Sequence, residues 1–484
     1  MNIKTIGHEL EHNVWLVASL FFSDDENVEI ISCAKHENAL ITSETTIEYD
    51  GKIYYGSHTF ECDENENIHT INRIMSAVCA MSFYMAAQKV RPKRLPWGIM
   101  TGIRPAKLIR QLLCDGLNDK NIEDYISRLY GTSEQKLSLA LEVAKNELVL
   151  MQKNGKNDIG LYVGIPFCPS RCLYCSFVST DLRHTQKYVS DYLACLLREI
   201  EYSASLVHSA GKQVKSIYIG GGTPTSLSSG ELDTLLYTLS KNFDTNGLYE
   251  YCVEAGRPDT ITLEKLKVLK LYGVTRISIN PQTMHERTLH LIGRDHSTND
   301  IKTAFSLARN VGFDTINADL IAGLPGENEK DFLYTLNEID KFSPENITVH
   351  TMSIKRGSAL HQRLASYDLT DPTIVYNMLD ISRDFMKTTN RIPYYLYRQK
   401  NMLGNLENVG YSVKGHESIY NINIMEEVQS ILALGCGGSS KAVSSDGEKI
   451  ERVFNFKAPI EYIGRFDEIL TKKDEFFRLE NEIK

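Results

Sequence analysis

The chain has 484 residues, 42% hydrophobic and 24% charged, with a formal net charge of −9. Its length needs two or three cores rather than one, and its acidic balance excludes nucleic acid as an obligate partner, leaving room for a local basic patch. No apolar run is long enough to span a bilayer, and the start, Met1-Asn-Ile-Lys-Thr-Ile-Gly-His8, lacks a signal-peptide core. The expectation is a cytoplasmic protein whose ten cysteines stay reduced and form no disulfide framework.

In chain order, residues 1 to about 65 read as short strands. The apolar runs 14–22 and 28–32 are two candidates. Residues 45–55 read as a hairpin with Asp50-Gly51 at its turn. Helical periodicity follows over 68–91 and 104–153. Between these stretches lies an irregular apolar loop, Leu95-Pro-Trp-Gly-Ile-Met-Thr-Gly-Ile-Arg-Pro105. No catalytic constellation stands out in the first 150 residues.

From 158 to about 355 short strands alternate with amphipathic stretches. Strands are expected at 160–165, 216–220, 249–254, 275–280, 315–321 and 346–354, and helices at 186–204, 229–241, 263–271, 299–311 and 329–341. Six such repeats imply an α/β fold, a parallel sheet with helices outside. Its ligands belong at the C-terminal ends of the strands. Beyond 356 the periodicity weakens, with helices expected at 373–389 and 425–433. The domains read as 1–153, an N-terminal α+β domain; 154–360, the core; and 361–484, a smaller C-terminal extension that closes the barrel.

The first strand runs into Cys168-Pro-Ser-Arg-Cys172-Leu-Tyr-Cys175, a CxxxCxxC loop. Three thiolates in eight residues suit a [4Fe–4S] cluster with one iron left without a protein ligand, open to a small molecule. Structural zinc wants a fourth ligand, and no second CxxC or nearby His pair supplies it. The other seven cysteines, Cys33, Cys62, Cys79, Cys114, Cys195, Cys252 and Cys436, are scattered and read as small buried hydrophobes. Cys436 is set apart by its glycine-rich run, Gly435-Cys-Gly-Gly-Ser-Ser440.

After the second strand comes Gly220-Gly221-Gly222-Thr223-Pro224, where a backbone can approach a ligand with no side chain between. Polar residues then recur at strand ends: Glu254, Gln282, Arg294 and Asp319. An acid inside an apolar strand is costly unless partnered. For Asp319 either a bound ligand or an internal salt bridge would serve.

Residues 158–360 resemble the radical S-adenosylmethionine (SAM) core of the oxygen-independent coproporphyrinogen III oxidase family. The resemblance rests on Leu161-Tyr-Val-x-Ile-Pro-Phe-Cys168, Gly220-Gly-Gly-Thr-Pro224, Gln282, Arg294 and Asp319-Leu-Ile-x-Gly-Leu-Pro325. The long N-terminal extension and the segment from Tyr394 to Tyr411 are similar to the HemZ-type branch. The resemblance implies a partial (β/α)6 barrel. It implies that Cys168, Cys172 and Cys175 hold the cluster, that Gly221, Gly222, Thr223, Glu254, Gln282, Arg294 and Asp319 hold SAM, and that Tyr162 packs near the cluster as a catalytic-site residue. It further implies oxidative decarboxylation of coproporphyrinogen III propionates to vinyl groups through a 5′-deoxyadenosyl radical. The implied partners are a tetrapyrrole substrate and a one-electron donor such as flavodoxin or ferredoxin.

One position departs from the pattern. Phe177 stands where the oxidase branch has a further cysteine, as in the haem-chaperone branch. Three functions therefore stand, in this order: the oxidase; a haem-binding or haem-transfer protein; another radical enzyme acting on a tetrapyrrole. The first needs cations for the propionates, with Arg104, Arg257, Arg356 and Arg398 as candidates by type. The second needs an axial ligand, with His350, His416 or Cys436 as candidates.

Overall fold

In the computed structural model the described residues are 1–484 except 64–65, 102–103, 176–178, 356, 363–366, 368, 400–401 and 484. Phe177 and Arg356 lie outside the described residues. The chain forms two compact units. One comprises Met1–Ala144 with Arg398–Lys400, the other Lys145–Tyr397 with Asn401–Lys484.

The first unit holds a four-stranded sheet of β1 (Asn2–Ile6), β2 (Glu29–Glu37), β3 (Leu40–Tyr49) and β4 (Lys52–Glu61), in that order. The hairpin expected at Asp50-Gly51 joins β3 to β4, and both turn residues have positive φ, 49° and 70°. That is what a type I′ turn requires. One residue in two of β3 is buried: Ile41, Ser43, Thr45 and Ile47. This face lies against the long helix α2 (Ile68–Val90). Gly56 permits the contact, since a Cβ there would sit 2.2 Å from the Ser82 carbonyl oxygen.

The run 14–22 is not a strand. Its first half belongs to helix α1 (Glu11–Ala18), with Val14, Val17 and Ala18 buried. Continuous apolar runs fit either state, and here burial at i, i+3 and i+4 marks a helix. Helices α3 (Pro105–Cys114) and α4 (Asp119–Tyr130) follow the irregular loop.

The second unit is built on β5 (Asp158–Ile165), β8 (Gln213–Gly221), β9 (Glu250–Gly256), β10 (Arg276–Gln282), β11 (Thr315–Ala322) and β12 (Asn346–Thr351). Two short strands, β6 (Phe167–Cys168) and β7 (Thr180–Asp181), pair in parallel and flank the cysteine loop. The six main strands lie side by side in chain order, all parallel. The alternation read from the sequence is thus the observed order. The helices Val189–Ser209, Ser229–Asn242, Leu263–Leu271, Thr298–Val311 and Glu329–Asp340 fall between them, most opened by a side-chain cap such as Ser228, Thr262, Ser297 or Asn328.

Residues beyond 361 add strands to both edges of this sheet. β13 (Ile392–Tyr397) and β14 (Asn408–Ser412) lie beyond β12. β15 (Ile431–Gly435), β16 (Ser439–Val443) and β17 (Ile450–Phe454) lie beyond β5. The helix expected at 425–433 is replaced by the helix Ile419–Glu426 and by β15. The apolar Ile431-Leu-Ala-Leu434 is buried on both faces as a strand parallel to β5. A short buried apolar run carries no periodicity to tell the two states apart.

At the N-terminal end of the strands Arg276 pairs with Glu250 at 3.0 Å, and Glu250 accepts hydrogen bonds from Ser418 Oγ and Tyr420 N. The C-terminal helix Phe466–Glu482 is anchored by Lys473, 2.9 Å from Glu199 with both side chains at most 1% exposed. Asn455, Tyr462 and the backbone N–H of Gly435 also donate to that buried carboxylate. Among the described residues no helix is long and apolar enough to cross a membrane.

Candidate cluster and cofactor site

The cysteine loop leaves the C-terminal end of β5, where a parallel sheet presents ligands. Cys168 and Cys172 are buried and Cys175 is partly exposed. Burial pushes the Cys168 thiol up to about 11, partly offset by a hydrogen bond from Thr223 Oγ1 at 3.5 Å. Metal binding must therefore displace that proton. Among the described residues no three potential ligands converge on a single metal ion. A cluster spreads its thiolates over separate irons, so it asks for wider spacing than one zinc ion would.

The loop is braced from three sides. The strand end after β8 reaches over it: Gly222 N donates to Ile165 O at 2.7 Å, and Thr223 N to Phe167 O at 2.8 Å. Gly221 has φ 108°, a conformation that suits glycine. A Cβ on Gly222 would lie 2.6 Å from Phe167 O. The glycine run is thus needed for close approach to the cysteine loop itself.

From a second side, Leu173 N donates to Ile292 O. Arg294 donates to Asn280 O and to the hydroxyl of Tyr174, the residue just before Cys175. From the third, Leu360 N donates to Leu173 O, and Arg171 to Gly357 O.

Arg257, a propionate candidate by type, is committed to this brace. Its guanidinium donates to Ser170 O and Oγ and forms two hydrogen bonds with Asp259. Asp259 is held at about 2; burial raises it, but His296 and Arg257 outweigh burial. The variant Arg257→Met leaves Asp259 short of one of its two partners and removes the guanidinium that holds Ser170. It is expected to lose roughly 3 kcal/mol in chemical denaturation and to bind less iron on reconstitution.

Inside the sheet a chain of side chains crosses from β5 to β12. Tyr162 stacks on Tyr218 with centroids 6.4 Å apart, and Tyr218 stacks on Tyr420 at 4.6 Å. The Tyr218 hydroxyl donates to Glu254. Burial pushes Glu254 up to about 7 against that hydrogen bond, with the charge of Asp319 adding to the rise. Asp319 takes the opposite course. Burial raises it, but hydrogen bonds from His350, Asn317 and Thr348 hold it below the ordinary carboxylate range. Asn317 donates to it at 2.7 Å, and His350 Nε2 stands 3.7 Å away. Asp319 therefore finds an internal partner.

Sequence reasoning passed over Tyr218, Tyr420 and Asn317. The alternation Asn317-x-Asp319 in an apolar strand places both on one face, a signal that was available. No local signal brings Tyr420 onto Tyr218.

The residues present fit the cluster and SAM. Around the loop Gln282 Oε1, Asn280 Oδ1 and Arg294 Nε are buried with no hydrogen-bond partner among the described residues. Buried polar atoms of this kind call for a polar ligand. Gln282, at φ 69°, ends β10, and a Cβ on Gly220 would lie 3.0 Å from the Glu254 carboxyl carbon. Of the other propionate candidates, Arg398 falls in the first unit, donating to Met100 O and lying 5.1 Å over the Trp97 ring. Arg104 also falls in that unit. Four scattered cysteines, Cys62, Cys79, Cys252 and Cys436, are buried, whereas Cys114 is exposed.

A fold with a cysteine loop at the strand ends and a glycine cradle beside it defines a radical SAM protein. The Radical SAM superfamily model matches residues 162–339, and its members use a [4Fe–4S] cluster and SAM. The chain is 42% identical over 380 residues to the oxygen-independent coproporphyrinogen-III oxidase-like protein HemZ of Bacillus subtilis (strain 168), covering 78% of this chain and 76% of that one. It therefore belongs to the oxygen-independent coproporphyrinogen-III oxidase-like family of radical SAM proteins, in its HemZ-type branch. Heme chaperone HemW of Escherichia coli (strain K12) is 27% identical over 289 residues, 60% of this chain and 71% of that protein. The solved structure of coproporphyrinogen III oxidase (HemN) from E. coli shares the fold, with a TM-score of 0.53 at 23% identity, covering 68% of this chain and 73% of the other.

Proposed function

We propose that the protein is an enzyme that converts propionate side chains of a tetrapyrrole, coproporphyrinogen III, to vinyl groups without oxygen. The observation that carries this reading is the braced cysteine loop packed against a glycine run that also borders Glu254, in a chain similar over most of its length to an oxidase-like protein. Cys168, Cys172 and Cys175 would hold the cluster, and Gly221, Gly222, Thr223, Glu254, Gln282 and Arg294 would hold SAM. Asp319 would act through the His350 and Asn317 contacts. Cluster and SAM, when bound, would supply one-electron radical chemistry able to remove a hydrogen atom from a substrate carbon. The substrate then loses carbon dioxide and one electron, passed to an external acceptor, and keeps a vinyl group. The chain's own work is to orient the loop, keep Tyr162, Tyr218 and Tyr420 as a flat aromatic wall, and exclude water.

Glu254 makes the reading pH-dependent. SAM carries an ammonium and a sulfonium, so it favours the ionised carboxylate. With the free group at about 7, SAM affinity is expected to rise as pH rises from 6 towards 7 and to flatten above it. Glu254→Gln should bind SAM about tenfold more weakly at pH 8 and lose the pH dependence. Equilibrium binding at several pH values checks both; an unchanged profile in the variant removes Glu254 from the site.

The resemblance to heme chaperones supports a second reading, haem transfer. The axial candidates favour it less. His350 lies against Asp319 and Tyr397. His416 meets Thr315 at the N-terminal end of β11. Cys436 donates its thiol to Lys457 O, and burial pushes that thiol up to about 12. The deciding experiment is anaerobic: reconstituted protein, reductant, SAM and coproporphyrinogen III, with products read by mass spectrometry. Two successive losses of carbon dioxide and two hydrogens, with 5′-deoxyadenosine, are expected. Deoxyadenosine with an unaltered porphyrin overturns the oxidase reading.

A further inference from the structure

His296 lies in the turn between the helices Glu286–Leu291 and Thr298–Val311, and its side chain is wholly buried. The backbone is pinned on both sides of it. Arg294 N donates to Leu289 O at 2.9 Å, and Ser297 caps the second helix by exchanging hydrogen bonds with Asp300. Burial holds the imidazole below its usual range against the pull of Asp259, so the ring is neutral at pH 7 and carries one N–H. Nδ1 stands 3.6 Å from Asp259 Oδ1, while Nε2 has no hydrogen-bond partner among the described residues. A leucine would fill the same space without a buried, unpaired nitrogen. What the imidazole adds is an N–H facing Asp259.

That carboxylate leads to the cysteine loop. Its Oδ1 also accepts from Arg257 Nε at 3.0 Å, and its Oδ2 accepts from Arg257 Nη2 at 2.9 Å. The remaining nitrogen, Nη1, donates to Ser170 Oγ at 2.7 Å and to Ser170 O at 3.2 Å. Ser170 Oγ in turn donates to Gly293 O at 3.4 Å. Ser170 is buried and stands two residues from both Cys168 and Cys172. A planar guanidinium bonded on both sides is fixed in tilt, so the plane of the Asp259 carboxylate sets where the Ser170 peptide points. Partners one step removed from metal ligands orient those ligands and tune the metal.

We propose that His296 is a positioning residue for the cluster, acting through Asp259 and Arg257 on the peptide at Ser170. This role rests on the assignment of Cys168, Cys172 and Cys175 as cluster ligands, and it is independent of which substrate the protein takes.

The test times the loss of cluster iron to a chelator from the full-length protein, reconstituted anaerobically. His296→Leu is expected to load iron but to lose it about tenfold faster, with a shifted electron paramagnetic resonance signal from the reduced cluster. His296→Asn puts an N–H where Nδ1 was; it should restore the signal and bring the rate within about twofold of wild type. Because the effect runs through Arg257, adding His296→Leu to Arg257→Met should speed the loss no further than Arg257→Met alone. Additive effects, no rescue by asparagine, or a wild-type rate and signal in folded His296→Leu would each overturn the role. Should His296→Leu fail to fold, Asp259→Asn, of the same shape without the charge, decides: fast iron loss is expected, and a wild-type rate overturns the role. A wild-type protein that takes up no iron removes the cysteine assignment itself, and this role with it.

Discussion

Replacing Cys172 with alanine is expected to abolish cluster binding while leaving the fold intact. Iron per chain on anaerobic reconstitution should fall to background, and the brown absorbance should be absent. SAM cleavage should drop at least about a thousandfold, equivalent to about 4 kcal/mol of lost barrier reduction. The loop itself should survive, because its brace does not use this sulfur. Ser170 is held by Arg257, Leu173 by Ile292 and Leu360, and Tyr174 by Arg294. Cys172 is 8% exposed and small, so its truncation should cost about 1 kcal/mol. A melting curve a few degrees lower, with no iron, is the expected pair of results. Normal iron content in the variant would sink the assignment of the three cysteines.

The second large effect is expected from Gly222→Ala, which adds one methyl and no charge. A Cβ there would meet Phe167 O at 2.6 Å and Ile165 O at 2.9 Å, both backbone atoms with no rotamer to turn. The backbone must shift, at a cost of about 2 kcal/mol. The Gly222 N–Ile165 O and Thr223 N–Phe167 O hydrogen bonds lie in the path of that shift. Since Phe167 precedes Cys168, the first of the three proposed cluster ligands, the displacement is passed to that cysteine. Iron occupancy and SAM affinity should fall together, each by tenfold or more. Gly230→Ala is the control. It begins a helix, and nothing lies within 4 Å of a Cβ there, so the same chemical change should leave iron, SAM binding and melting near their original values. Equal behaviour of the two variants would show that close approach at Gly222 has no bearing on the loop.

How much of this was legible in the chain follows from the range of the forces involved. The alternation of six strands and helices is written in local periodicity and in caps such as Ser228 and Ser297, because backbone hydrogen bonding and side-chain burial repeat over a few residues. The Asp50-Gly51 turn is legible for the same reason. The CxxxCxxC spacing names its chemistry unaided, since three thiols on one loop are neighbours whatever the fold does.

Tertiary structure decided the rest. It made residues 11–18 a helix and 431–435 a strand, because a continuous apolar run takes the state that the surface burying it requires. It gave Asp319 an internal partner in His350, 31 positions away along the chain. It also turned Arg257 from a substrate candidate by type into the support beneath Ser170, because a buried guanidinium is claimed by whichever acceptors packing brings to it. Sequence by itself determined which cofactor chemistry this chain can carry. Only the folded molecule determined which side chains stand beside that chemistry, because their contacts join strands far apart in the sequence and exist only once the sheet is assembled.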